Sequence, residues 1–388
     1  MATAVPLLGR NFAEMRCLRC DALHPASIDA YLCPACGRGD GGDAGILDAE
    51  YDYAAIRAEL ERGSENWRRG VFRWSALLPV AAPGTCALTA GGTPLIPAPR
   101  LARRLGLREL WLKDESANPT RCLKDRATAV ALALAAARGM NRLFCASAGN
   151  AAISLAGFCA HAGAECHVWV PARVSEQQLA WLYRFGATVH VSPGDYDAAY
   201  DEAEAVGHRR GWYSRNCAFN PFLVEGKKTV AFEMAEQLGG VPDLVVAPVG
   251  DGCTLAAIGK GFRELREVGR TDALPRLLGV QAEGVQPLVA RLHGAATAPE
   301  GSTRAASIAV GRPRNGARLM RELRTAGGTL LAIPDTETDA AAATLAREAG
   351  MACELTSATG LAGLARLAES ESLEGKTAVI VITGGRVD

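Results

Sequence analysis

Asn118-Pro119-Thr120-Arg121-Cys122-Leu123-Lys124-Asp125-Arg126 is the stretch on which the reading of this chain turns. It places one lysine just before an alanine-rich run, 127–138, with helical character. A lone lysine is ordinarily a solvated, protonated surface charge. Here the amine follows Cys122-Leu123 and precedes a segment that is nearly all Ala, Val and Leu. A partly desolvated amine gives up its proton more readily and can act as a nucleophile toward a carbonyl.

Two turns further along the chain give that lysine a context. Ser147-Ala148-Gly149-Asn150 follows an apolar strand, 143–146, and opens a helix, 151–162. Free backbone N–H groups at a helix N-terminus attract an anion such as a substrate carboxylate, and small residues let it approach closely. The same segment also reads as an ordinary strand-to-helix turn with a serine cap. Gly250-Asp251-Gly252-Cys253-Thr254 follows the strand 244–249 and opens the helix 255–267. That geometry suits a phosphate held by backbone amides. It has neither the Gly-x-Gly-x-x-Gly pattern of dinucleotide sites nor the lysine of a nucleoside triphosphate loop, and a plain βα turn is its other reading. Thr383-Gly384-Gly385 ends the last strand, where a hydroxyl can hydrogen-bond a ring nitrogen. A nucleophilic lysine, an anion-ready turn and a glycine phosphate loop, in that order, point to pyridoxal 5'-phosphate (PLP). The Asn150 amide would then reach the cofactor's phenolic oxygen. A neutral Thr383 hydroxyl would not force the ring nitrogen to stay protonated, which favours elimination and replacement over transamination.

The rest of the chain supplies a frame for that chemistry. Its 388 residues suffice for two or three domains with ample core. Lys+Arg 42 balances Asp+Glu 42, so there is no electrostatic case for nucleic acid or an anionic membrane as partner. Residues 143–164 carry no Asp, Glu, Lys or Arg, but Ser147, Gly149, Asn150, Ser154 and His161 interrupt them, so strand, turn and helix are expected there rather than a membrane span. No secretory signal is visible at the start, and 12 cysteines without one suggest thiols or metal ligands in a reducing cytoplasm. Apolar runs at 108–112, 166–170, 244–249, 277–281 and 378–383 read as buried parallel strands. Helical stretches at 176–185, 196–204, 229–238, 338–348 and 360–369 alternate with them, which implies open α/β sheets. The six histidines show no metal spacing, and no Gly-x-Ser-x-Gly elbow supports a hydrolase. Cys122 is either a reactive thiol or a packing residue.

Near the N-terminus, Cys17-x2-Cys20 and Cys33-x2-Cys36 form two knuckles whose four thiolates can close a tetrahedron around zinc. A closed site leaves no open coordination position, so its role would be structural: zinc supplies folding energy to a segment too small for its own core. The glycine-rich run 37–45 reads as a linker.

The chain resembles the threonine synthase family of fold type II PLP-dependent enzymes over nearly its whole length. The resemblance rests on the cysteine ribbon, Gly92-Thr93-Pro94-Leu95, Leu112-Lys113-Asp114-Glu115, the Asn118–Arg126 stretch with Lys124, and Ala146-Ser147-Ala148-Gly149-Asn150. It continues through Asn220-Pro221, Glu225-Gly226-Lys227-Lys228-Thr229, Gly250 to Thr254, Gln281-Ala282-Glu283-Gly284 and Thr383-Gly384. It implies a tryptophan synthase β-like α/β fold with two open domains and a small N-terminal zinc ribbon. The ribbon and linker would take 1–48, a large PLP-binding domain 49–105 with 236–388, and a small domain 106–235. It implies that Lys124 forms the Schiff base and that Ser147, Ala148, Gly149 and Asn150 bind the substrate carboxylate. Asn150 then touches O3' of the cofactor, Gly250, Asp251, Gly252, Cys253 and Thr254 hold its phosphate, and Thr383 meets its ring nitrogen. The family reaction turns O-phosphohomoserine into threonine and phosphate, and a homodimer is the family's expectation. Several positions depart from the pattern: Arg121-Cys122 stands where Gly-Ser is usual, Cys217-Ala218 replaces a polar pair, and Phe222-Leu223-Val224 replaces a run with a phosphate-binding arginine. Glu354-Leu355 stands for Glu-Pro, and the tail 383–388 differs. These changes leave PLP use intact and open a β-elimination or β-replacement enzyme as the alternative. A non-catalytic binding protein on a decayed scaffold is the remaining one, and the presence of Lys124 speaks against it.

Overall fold

The alanine-rich run folds as the helix Lys124–Ala137, with every residue from Asp125 to Ala135 buried. It starts at the lysine itself, because Leu123 before it already has helical backbone angles. A helix that is apolar all round and made of small residues can be buried on several sides at once. The protein is described here by a computed structural model covering residues 8–38, 44–61, 69–81, 88–295 and 301–385. The chain divides into two compact units, one of residues 1–37, 45–92 and 118–227, the other of 38–44, 93–117 and 228–388. Part of the expected linker, 39–43, and the last three residues lie outside the described residues.

The first unit contains a four-stranded parallel sheet in the order Thr188–Ser192, Glu165–Pro171, Arg142–Ala146, Tyr213–Ser214. Strand side chains alternate between faces. Phe144, Ala146 and Trp169 pack with Ala199, Tyr200 and Ala203 of the helix Tyr196–Arg209 on one face. The helix Asn150–Ala162 lies against the same strands, and the helix Lys124–Ala137 packs on it. The unit also holds a three-stranded antiparallel sheet, Leu23–Pro25, Phe12–Cys17 and Leu47–Tyr51. It is tied down by Tyr51, whose buried hydroxyl donates to Glu225 Oε2 at 2.6 Å, and by Phe12 and Tyr31, which contact the Phe222 ring edge-on.

The second unit is built on six strands in the order Thr329–Ile333, Arg276–Ala282, Leu244–Pro248, Thr377–Ile382, Glu109–Asp114, Leu95–Pro97. All pair in parallel except the last, which is an antiparallel edge. Strands buried on both faces read as continuous apolar runs, and Thr377–Ile382 is buried at every position. The helices Asp335–Ala349 and Leu355–Ser370 cover one face with a core that includes Leu345, Leu361, Leu364, Val280 and Ile380. Lys113 on Glu109–Asp114 is fully buried, and its ammonium donates to Thr93 O at 2.8 Å, Glu233 Oε2 at 2.8 Å and Gln237 Oε1 at 2.9 Å. A charge so placed is tolerated only when paired and fully hydrogen-bonded. Among the described residues, no helix is long and apolar enough to cross a membrane.

Candidate active site

In the first unit, Lys124 is half-buried at the first turn of its helix. The turn before it is locked by side chains. Asn118 Oδ1 accepts from Gly91 N at 2.8 Å, and the Asn118 carbonyl accepts from Arg121 N at 2.8 Å. Thr120 N donates to Asp125 Oδ2 at 2.6 Å, and its hydroxyl donates to Asp125 Oδ1. Burial pushes the Asp125 carboxyl up, against the opposing hydrogen bonds from Thr120. Arg121 sits at φ 63°, the left-handed region that favours glycine, so the Gly-to-Arg departure noted in the sequence falls where a side chain is strained.

Arg215 holds the other side of this turn. It is 1% exposed, and its guanidinium donates from Nη2 to the Lys124 carbonyl at 3.1 Å and from Nε to Thr128 Oγ1 at 3.1 Å. Thr128 in turn shares a 2.7 Å hydrogen bond with Ser154 on the helix Asn150–Ala162. Neither Arg215 nor Thr128 and Ser154 emerges from sequence reasoning. Arg215 follows Trp212-Tyr213-Ser214, and nothing local says what its charge faces. Cys122 is 1% exposed, with its sulphur against Thr120, Asp125 and the Asn150 carbonyl, the last at 3.8 Å, which is a packing position.

That contact brings the second sequence motif beside the first. Ser147, Ala148 and Gly149 are half-buried and Asn150 is buried. Ser147 N donates to Trp169 O at 3.0 Å, and its hydroxyl accepts from Gly149 N at 3.2 Å. Gly149 is the N-cap, and no side chain caps the helix there. The positive end of a helix dipole at such a start favours an anion.

In the second unit, Gly250 to Thr254 forms the expected turn. Gly252 has φ 89° and caps the helix Cys253–Glu267 without a side-chain hydrogen bond. A Cβ on Gly250 would lie 3.0 Å from Ile308 Cα, and one on Gly252 3.2 Å from Asn315 O, so the cradle admits only glycine without adjustment. The Asp251 carboxylate turns away to accept from Asn315 Nδ2 at 2.6 Å and from Arg314 N, which leaves amides rather than an acid to face a ligand phosphate. Cys253 is buried and Thr254 half-buried. Thr383 is half-buried, and its hydroxyl shares a 3.2 Å hydrogen bond with the buried Ser357, which also accepts from Gly384 N at 3.1 Å. The Glu354 carboxylate lies so close over Gly384 that a Cβ there would sit 2.8 Å from its oxygens. Ser357 carries no signal in the sequence, and Glu354 stands out there only as part of the Glu354-Leu355 departure from the family pattern.

The four cysteines of the ribbon come together: the sulphurs of Cys17, Cys20, Cys33 and Cys36 all lie within 4.8 Å of one another. Tetrahedral zinc with Zn–S of about 2.3 Å requires sulphurs roughly 3.8 Å apart, and Cys20 and Cys33 stand at 4.0 Å. Thiols this close perturb one another. The Ala22 amide and Cys36 bring Cys20 down to about 7, whereas Cys20 pushes Cys36 up to about 12.

A family model described as "Pyridoxal-phosphate dependent enzyme" matches residues 87–384. In the solved structure of the processed form of threonine deaminase isoform 2 from Solanum lycopersicum, the fold recurs with a TM-score of 0.65 at 21% identity, over 76% of this chain and 84% of that one. Both define the class as fold type II PLP-dependent enzymes. A threonine synthase of Methanosarcina acetivorans is 36% identical over 96% of this chain and 91% of its own length. One of Methanocaldococcus jannaschii is 35% identical over 95% and 91%. The chain belongs to the threonine synthase family of PLP-dependent lyases.

Proposed function

We propose that this enzyme converts O-phosphohomoserine and water to threonine and phosphate, with Lys124 as the covalent attachment point of the cofactor and as the proton carrier. The observation that carries the reading is the Lys124 turn: a half-buried amine at a helix start whose backbone is held by Asn118, Asp125 and Arg215. PLP, when bound, withdraws electron density from the substrate's Cα. The chain's own residues do the rest. The Lys124 amine, partly desolvated, takes and returns protons at Cα and Cβ. The turn Ser147, Ala148, Gly149 and Asn150 at the start of its helix binds the substrate carboxylate, with the Ser147 and Gly149 amides shaping the turn through their own hydrogen bonds. The Asn150 amide donates to O3' of the ring. Gly250, Asp251, Gly252, Cys253 and Thr254 hold the cofactor phosphate through backbone N–H groups, and Ser357 orients the Thr383 hydroxyl toward the ring nitrogen. The four ribbon cysteines hold structural zinc. A homodimer in a reducing cytoplasm belongs to the same reading.

One observation favours a second reading, a β-elimination or β-replacement enzyme. Phe222, Leu223 and Val224 are all buried apolar side chains where a phosphate-binding arginine was expected. Incubation of the purified enzyme with O-phosphohomoserine decides between them. Stoichiometric release of phosphate and threonine supports the first. No phosphate release, together with turnover of serine or an O-activated serine, establishes the second.

A further inference from the structure

Cys217 lies in the first unit between two buried cations. Arg215 Nη1 approaches its sulphur at 3.2 Å and Lys227 Nζ at 3.3 Å. Both cations are 1% exposed, whereas Cys217 itself is half-buried and so reachable. The other hydrogen-bond acceptors of the Arg215 guanidinium are neutral: the Lys124 carbonyl and the Thr128 hydroxyl. A guanidinium cannot discharge itself by losing a proton, and burying it without a counter-charge is costly. Among the described residues, the hydrogen-bond partner of this guanidinium that can supply a negative charge is the Cys217 sulphur. Asp125 feels the same guanidinium but directs its oxygens to Thr120. The remaining thiols near Arg215 are Cys122 and Cys145, and full burial pushes Cys145 up to about 12, so it stays protonated.

We propose that Cys217 is held as a thiolate by Arg215 and Lys227 and is a modification site for small soft electrophiles at neutral pH. In the reaction with iodoacetamide, the sulphur lone pair forms the S–C bond, the C–I bond breaks and iodide leaves; no proton needs removal. Such an adduct replaces a contact of Arg215, whose other bonds hold the Lys124 turn. The inference is independent of which amino acid the enzyme turns over.

The test is the rate of carbamidomethylation at Cys217 in the full-length, cofactor-loaded protein, quantified on its own peptide by mass spectrometry across about pH 5.5 to 9.5. An ordinary thiol near pKa 8.5 slows about tenfold for each pH unit below it. The Cys217 rate is expected to stay within about twofold from pH 9 down to about pH 7. Lys227→Met is expected to restore the ordinary slope and Lys227→Arg to keep the flat one, each with the wild-type circular dichroism spectrum. A Cys217 rate that climbs tenfold per unit between pH 6 and 8 in the wild-type protein would overturn the proposal. So would an unreactive Cys217 in the folded protein that reacts once urea is added.

Discussion

The Arg215 guanidinium donates to the carbonyl oxygen of Lys124 at 3.1 Å, and the same side chain reaches Thr128 one turn along the lysine's helix. A planar fork of donors spanning two levels of one helix fixes the position of the first turn in a way a single ammonium cannot. Arg215→Lys should therefore keep the charge and lose the registration. Its expected effect is a kcat/KM lower by about tenfold or more, equivalent to about 1.4 kcal/mol of transition-state stabilisation, with cofactor content unchanged. Steady-state kinetics beside cofactor absorbance checks this, and unaltered kcat/KM in a well-folded variant would remove Arg215 from the account.

Gly252→Ala places a Cβ in a left-handed residue, 3.2 Å from Asn315 O. The backbone term alone is roughly 1–2 kcal/mol. Because the strain falls on the turn proposed to hold phosphate, PLP affinity should drop about tenfold or more in a fluorescence titration of apoenzyme. Unchanged affinity would move the phosphate elsewhere.

The ribbon should carry about one zinc per chain by elemental analysis, since four thiolates fill a tetrahedral site. Cys36→Ser or chelation should release it and lower the thermal midpoint, while cofactor absorbance persists. A metal-free native protein with the same midpoint would contradict a zinc role.

Stability should also fall in acid through Glu204. Burial alone would raise this carboxyl. Hydrogen bonds with His208 and Asn216, His208's charge and the Ser214 hydroxyl outweigh burial and hold it below the ordinary glutamate value. A depressed carboxylate contributes stability that is fully present above its unfolded value of about 4.3 and is lost as pH falls through the folded one. Urea midpoints of the wild type should decline below about pH 4.3 more steeply than those of Glu204→Gln, and parallel curves would refute the assignment.

Much of this architecture is legible in the residues, and what is not has a physical cause. The runs at 244–249, 277–281 and 378–383 announce buried strands because both faces are covered, and the structure has strands at each. The strand Thr188–Ser192 escapes, since exposed and half-buried positions break its apolar run. Sheet partners escape for a different reason. Nothing local tells Glu109–Asp114 that it lies beside Thr377–Ile382, because parallel pairing joins segments distant in the chain. The site divides in the same way. Lys124, Asn150 and the Gly250–Thr254 turn carry local signatures in turn chemistry and glycine. Arg215, Thr128 and Ser357 act through contacts that only folding creates.

Borohydride reduction of the yellow, purified enzyme followed by peptide mapping tests the covalent attachment of the cofactor at Lys124 directly. A phosphopyridoxyl group is expected on the peptide containing Lys124, and the Lys124→Ala variant should be colourless, keep the wild-type fold and take up no label. A label on any other lysine, or none on a cofactor-loaded wild-type protein, would contradict that attachment.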